Sequence, residues 1–406
     1  MYRLKLFIVL FAAGTLFTCI DPFNPNLENF SSLLVVDALV TDENRSNYVR
    51  LSHTVETQDE EPVRVTGANV IIRDDLGGET TLPEVAEGEY RTDSLAFRGE
   101  TGRTYTLNIK TSDGEEYESE PCIMYSTPDI DSLYYEKQEE ISENGTETLP
   151  GIRFYIDSEE ESTSSYYRWT IEEWWKFNVP EPKRYDYFND TTILETPQIR
   201  QLCWGNKKSD EILIESAIAE LPGGFSKKPL FFVASDKSNR FQIQYCVLIR
   251  QLSISQEEYE FWDHLKEISE SGGNIFDKQP YAVAGNIHNT RKPTEQVLGY
   301  FQVSAVKHKR KYILRDEIIE LGLPLYNYDC RRVEIGEKDF PPPLTPGPGV
   351  TFDDLIASYD NSGYIFTKPI YDNEGELERL VFVLPFCADC TLNGSMTKPD
   401  FWIDMK

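Results

Sequence analysis

Asn69-Val70-Ile71-Ile72-Arg73, closed by Asp74-Asp75-Leu76-Gly77-Gly78, is the stretch from which the fold is read. Side chains of an extended chain point alternately to opposite faces. A short Val/Ile run ending in an Asp/Gly turn therefore reads as a strand and a hairpin corner. The same pattern repeats on both sides. Leu33-Leu34-Val35-Val36-Asp37-Ala38-Leu39-Val40 precedes it; Gly88-Glu89-Tyr90 and Gly102-Arg103-Thr104-Tyr105-Thr106-Leu107-Asn108-Ile109 follow, and Ser112-Asp113-Gly114 turns the chain before Tyr117. Strands divided by turns about every ten residues predict a β-sandwich over residues 32–125.

Beyond it, residues 126–406 read as a larger β-rich domain with at least one α-helix. In the segment 166–177, Tyr167, Trp169, Ile171, Glu173, Trp175 and Phe177 share one face of a strand. Arg168, Thr170, Glu172, Trp174 and Lys176 share the other, which makes Trp174 an aromatic on a mostly polar face. Further strands are expected at 231–233, 241–249, 297–306, 311–314 and 380–386. The helix is announced by Ser255 and Glu258 as a capping box, by Phe261, Trp262, Leu265 and Ile268 at helical spacing, and by a Gly272-Gly273 stop. Residues 341–349 are too rich in proline for a strand or helix interior.

The beginning of the chain says where the rest works. Arg3 and Lys5 precede a largely apolar run over 6–17, the order of a secretory signal peptide, assigned to residues 1–18. The run falls short of the roughly 20 apolar residues that a permanent membrane helix needs. Leu16-Phe17-Thr18-Cys19 resembles a bacterial lipobox, which makes Cys19 the lipidated first residue of a tether over 19–31. With 69 acidic and 40 basic residues the net charge is -29, a field that repels phosphate backbones and anionic headgroups. Nucleic acid is excluded as a partner, and the lipid on Cys19 rather than a basic patch is the expected membrane contact.

Outside the cytoplasm the remaining cysteines, Cys122, Cys203, Cys246, Cys330, Cys387 and Cys390, are disulfide candidates, and six allow about 15 pairings. If all six pair, Cys122 staples the first domain to the second; if not, it is a small buried hydrophobe. Cys387-Ala388-Asp389-Cys390 lacks the βαβ setting of a redox motif and a second cysteine pair for zinc, which leaves a structural disulfide role. The four histidines, His53, His264, His288 and His308, form no His-Glu-x-x-His pattern. No nucleophile elbow, phosphate loop or dinucleotide fingerprint occurs. The expectation is a protein that is not an enzyme, with no metal and no cofactor. Asp372-Asn373-Glu374-Gly375-Glu376 has Val383 where a calcium loop needs its last Glu, and reads as a hairpin turn. Tyr134, Tyr135, Trp174, Tyr185 and Tyr187 are either core and interface aromatics or stacking platforms for a sugar or peptide.

Gly67-Ala68-Asn69-Val70, Gly88-Glu89-Tyr90 and Gly102 to Tyr105 are similar to the small sandwich modules of the transthyretin or carboxypeptidase-regulatory type. A wider set occurs in order: Val35-Val36-Asp37-Ala38, Phe276-Asp277-Lys278-Gln279-Pro280, Gly285-Asn286-Ile287, Leu298-Gly299-Tyr300-Phe301, and Cys387-Ala388-Asp389-Cys390 with Lys398-Pro399-Asp400-Phe401-Trp402. Together they resemble the outer-membrane lipoproteins of Bacteroidota catalogued as domain of unknown function 4249. The resemblance implies a lipid-anchored outer-membrane protein, on the cell surface or the periplasmic face, beside a TonB-dependent transporter barrel. It would act as an accessory, lid or ligand-capture subunit. The alternative is a structural or assembly factor binding other envelope proteins; a hydrolase with an unrecognised site ranks last. The resemblance carries no catalytic residues.

Overall fold

The computed structural model describes residues 32–55, 60–142, 144–158, 163–189, 192–217, 224–271, 283–340 and 349–405. The leader, the tether with Cys19, Gly272-Gly273, Phe276 to Pro280 and nearly all of the proline-rich loop lie outside the described residues.

The first strands are β1 (Leu34–Thr41), β2 (Tyr48–His53), β3 (Val63–Arg64), β4 (Asn69–Asp74), β5 (Glu79–Leu82), β6 (Glu84–Ala86), β7 (Glu89–Arg91), β8 (Thr104–Lys110), β9 (Glu116–Ser119) and β10 (Cys122–Ile123). Then come β11 (Ser132–Ile141), β12 (Thr148–Ser158), β13 (Tyr166–Asn178), β14 (Tyr185–Asn189), β15 (Thr192–Glu195), β16 (Leu202–Lys208), β17 (Leu213–Ser216), β18 (Phe225–Ala234) and β19 (Gln244–Ile254). Helix α1 (Gln256–Ser271) is followed by β20 (Ile287–Asn289), β21 (Leu298–Ser304), β22 (Val306–Leu314) and α2 (Arg315–Glu320). The chain ends with β23 (Val333–Ile335), α3 (Phe352–Asn361), β24 (Ile365–Tyr371), β25 (Leu377–Val383) and α4 (Pro385–Ala388). The protein is mainly β, with a few helices.

The first unit is two six-stranded sheets around one core. One runs β21-β1-β2-β7-β6 with β3 on β2; the other runs β20-β9-β8-β4-β5 with β10 on β8. Alternation dictates which side chains meet: Leu34, Val36, Ala38 and Val40 of β1 face Val70, Ile72, Leu107 and Ile109 in a shared cluster. Each such side chain contributes about 1.5–3 kcal/mol when fully buried. Two strands of this unit come from far downstream. β21 lies parallel to β1, with Val36 beside Gly299, and β20 pairs with β9. The sequence division at residue 125 leaves both of them out, because pairing across such a distance has no local periodicity to announce it.

The second unit packs β11-β12-β18 against the sheet β16-β13-β19-β22, to which β17 adds on β13. Phe154, Phe231, Trp169, Tyr245 and Val247 fill the space between. On β13 the expected faces hold: Tyr167, Trp169, Ile171 and Phe177 are buried, while Arg168 and Trp174 are half-buried. Several boundaries differ from expectation. The strand expected at 241–249 starts at Gln244, after a turn of 3₁₀ helix at Asn239–Phe241. The strand expected at 380–386 ends at Val383, because Pro385 opens α4. The segment 297–306 is broken at Ala305 into β21 and β22, on different sheets.

Polar groups lock the two units together. Thr127 Oγ1 donates to Ala305 O at 2.6 Å and accepts from Ser253 N at 3.1 Å. Asp42 Oδ1 accepts from Val306 N at 2.8 Å, and the buried Arg250 pairs with Glu43.

A third, smaller unit gathers β23-β25-β24, the β14-β15 ribbon and α3 around Phe352, Leu355, Phe366, Leu380 and Phe382. The segment Asp372 to Glu376 is the turn between β24 and β25, with Asp372 Oδ1 accepting from Glu374 N and Glu376 N.

Candidate functional site

Four of the six candidate cysteines pair, in two bonds that tie the segment Cys387 to Cys390 to Cys330 and to β16 of the second unit. Cys203 bonds Cys390 and Cys330 bonds Cys387, so the Cys-x-x-Cys residues reach two distant partners instead of each other. Cys122 and Cys246 are free thiols. Burial pushes the Cys122 thiol up to about 12, and burial also raises Cys246, which accepts from Arg310 Nη1 at 3.3 Å. Both are thus held protonated, the opposite of what a nucleophilic cysteine needs. Cys122 does not staple two domains; it sits half-buried on β10 against Asn286 Nδ2, 3.1 Å away.

The candidate aromatics go to three places. Tyr134 stacks on Tyr155 at 5.7 Å, and Tyr135 donates to Glu317 Oε2 at 2.6 Å over the second core. Trp174, the aromatic on the polar face, is taken up by the C-terminal segment: the Phe401 ring meets it at 4.7 Å and the Arg310 guanidinium lies 5.2 Å from its centroid. Tyr185 and Tyr187 pack into the third unit, where Tyr187 donates to Asp353 Oδ1 at 2.8 Å. Of these aromatics, Tyr187 lines a cavity together with Ala388 and Asp389, the residues between the two cysteines.

That cavity is a groove of about 560 Å3. Its apolar side is made by Phe366, Ile356 and Ile365, and its polar rim by Lys183, Asp186, Arg200, Asp360 and Asp389. Backbone pairing explains how these segments meet. Glu181 N donates to Cys387 O and Lys183 N to Ala388 O, both at 3.1 Å, and Arg184 N donates to Thr367 O at 3.0 Å. On the far side Cys390 N donates to Arg200 O at 3.0 Å. The two disulfides close the same frame, so the groove is pinned from both ends. Lys183 Nζ meets Asp186 Oδ1 at 2.8 Å, and Arg200 Nη1 meets Asp389 Oδ2 at 2.9 Å. Burial alone would raise the Asp389 carboxyl, but the Thr391 hydroxyl and Arg200 outweigh it and hold it below its ordinary value.

The groove thus sets charged pairs on a rim above an apolar floor. Thr196 Oγ1 at this wall is buried and has no hydrogen-bond partner among the described residues. Sequence reasoning found Tyr187 and the cysteines but missed Lys183, Arg200, Asp360 and Phe366, which come from separate segments with no motif. The one local signal was Asp389, held between two cysteines. Among the described residues no group of three or more His, Cys, Asp or Glu is placed to hold a metal ion.

No curated protein and no solved structure gives a significant match to the chain. A family model does match, over residues 20–310, from ahead of β1 into β22. That span contains the motif residues Val36, Asn286 and Gly299, which meet in space at the seam between β1 and β21. The chain belongs to the family described as Domain of unknown function (DUF4249).

Proposed function

We propose that this protein is a non-enzymatic, lipid-anchored outer-membrane lipoprotein that captures ligand, or closes over it, as an accessory of a TonB-dependent transporter. The observation that carries the reading is the groove beside Tyr187, framed by two disulfides and rimmed by opposite charges. Disulfides belong to oxidising compartments, which agrees with the leader and Cys19 read from the sequence. The protonated free thiols favour binding over nucleophilic chemistry. One observation favours the second reading, an assembly factor: Phe188 is 64% exposed and Leu194 55% exposed on the ribbon next to the groove, an apolar surface suited to a protein partner.

A gentle-detergent pull-down of the natively expressed, tagged full chain, with mass spectrometry, tests both. Stoichiometric recovery of a TonB-dependent barrel, lost in Lys183→Glu/Arg200→Glu, supports the capture reading. Recovery of assembly machinery moves the assignment to the second reading, and recovery of the protein alone sinks both.

A further inference from the structure

A second cavity, of about 430 Å3, lies where the first unit meets the start of α1, away from the groove described above. Its walls carry Glu120, Glu257 and Glu258 together with Tyr125 and Tyr300, and, among the described residues, no lysine or arginine. Glu257 has an ordinary explanation: a carboxylate in the first helical turn complements the positive helix end. Glu120 is an exposed residue facing His288.

Glu258 shares that first turn, but unlike Glu257 it is buried. It is 3% exposed, yet it forms no salt bridge. Its Oε1 accepts from Trp262 Nε1 at 3.2 Å, and no described residue donates to Oε2. The capping box expected from Ser255 and Glu258 is half made: Ser255 Oγ accepts from Glu258 N at 3.1 Å, while the Glu258 carboxylate turns to Trp262 instead of back to the helix start. The neighbouring polar groups are already engaged. Asn286 spends both ends of its amide on Phe301, accepting from its N at 2.9 Å and donating to its O at 3.0 Å. Arg168 acts on Glu258 through space only, since its guanidinium lies 3.7 Å from the Trp262 ring centroid and donates to Gln302 Oε1 at 2.6 Å.

We propose that this cavity binds a small organic ammonium ion, with Glu258 as its counter-ion, Glu257 and Glu120 as the outer negative field, and Tyr125 and Tyr300 as apolar walls. An anion finds no cation in the walls. A bare metal ion finds no ligand set, since no three metal-binding side chains converge among the described residues. An alkylammonium supplies what is missing: N–H donors for the unfilled Glu258 oxygen and a short chain for the tyrosine rings.

The groups that face Glu258 are Arg168 from β13, Cys122 from β10, Tyr300 from β21, and Glu257 and Trp262 of its own helix. Burial raises Tyr300 and Cys122 far above neutrality, so both stay protonated. Burial raises Glu258 to about 7, so it is the group that gains charge between pH 6 and 8. A cation that needs the ionised form then binds about tenfold more tightly at pH 8 than at pH 6, because the competent fraction rises by that factor. Binding releases a proton from Glu258.

The test is calorimetric titration of the full chain with n-butylammonium, with butyrate and n-butanol as controls, at pH 6 and pH 8. Butylammonium is expected to bind with that pH dependence and with proton release, and butyrate is expected not to bind. Glu258→Gln, shown to be folded by far-UV circular dichroism, should abolish both the binding and its pH dependence, and Glu257→Gln should only weaken it. No butylammonium binding, equal binding of butyrate, or retained binding in Glu258→Gln overturns the proposal. If Glu258→Gln does not fold, a flat wild-type pH profile overturns it equally. The pull-down described above reads the groove and its partner, so either result can fail without the other.

Discussion

Replacing Gly299 by alanine attacks the seam that closes the first unit. Gly299 holds φ +89°, a conformation that side-chain-bearing residues avoid, and an added Cβ would lie 2.0 Å from Val36 O. The conformational part costs about 1–3 kcal/mol. The steric part costs about 1–3 kcal/mol more, as for other overpacked sites. That carbonyl cannot swing aside cheaply, because Val36 is fully buried on a strand held between β21 and β2. Gly77→Ala separates the two contributions. Gly77 has φ +84° but nothing within 4 Å of its would-be Cβ, so only the conformational part remains. Urea unfolding followed by far-UV circular dichroism should place Gly299→Ala below Gly77→Ala by about 1–3 kcal/mol. Hydrogen exchange should show lost protection along β1 and β21 in the first variant alone. Equal destabilisation of the two, or unchanged protection along β1, would refute the account of the seam.

Two further outcomes follow from the same structure. The Cys203–Cys390 bond spans 187 residues and the Cys330–Cys387 bond 57. Chain entropy assigns them about 5 and 4 kcal/mol respectively; Cys203→Ser/Cys390→Ser should therefore lower the melting temperature more than Cys330→Ser/Cys387→Ser. Glu258 is raised by burial from 4.5 to about 7, so the folded chain keeps a proton that the unfolded chain releases. Its contribution is full below about pH 4.5 and is lost as pH rises through about 7, roughly 3 kcal/mol in all. The difference in urea midpoint between the wild type and Glu258→Gln, measured at several pH values, should follow that slope, and a constant difference would contradict it.

Local order was legible wherever the pattern was local. The segments read as strands at β1, β4, β8 and β13 are strands, the face assigned on β13 is buried except at the half-buried Trp175, and Phe261 and Trp262 mark α1 as a helix. The turn at Asp372 to Glu376 follows from its residues alone. What the sequence hid depends on distant partners. Gly285 and Gly299 sit in separate short motifs, yet an added Cβ on Gly285 would lie 1.6 Å from Gly299 O and one on Gly299 2.0 Å from Val36 O, so each is required by the backbone of a distant segment. Trp174 looked free because Phe401 is far away along the chain. Of the cysteines, sequence gave the set but no way to choose partners, and pairing through a Cys-x-x-Cys motif that splits in two directions has no local sign. The groove was the least legible part, since Lys183, Arg200 and Asp360 become neighbours only after the third unit has formed.

A ribosome delivers β1 long before its parallel neighbour: residue 36 emerges early, and residue 299 only on the order of 15–50 s later at ordinary synthesis rates. Through that interval β1 is the outer strand of an open sheet, with unpaired backbone groups that invite wrong partners. The other sheet waits as well, because β20 closes its β9 edge. Until β21 and β20 are made, the growing chain therefore carries an unfinished first unit. A fragment cut at residue 125 would keep both edges open for good, so its tendency to aggregate would come from topology and not from any lack of hydrophobic residues.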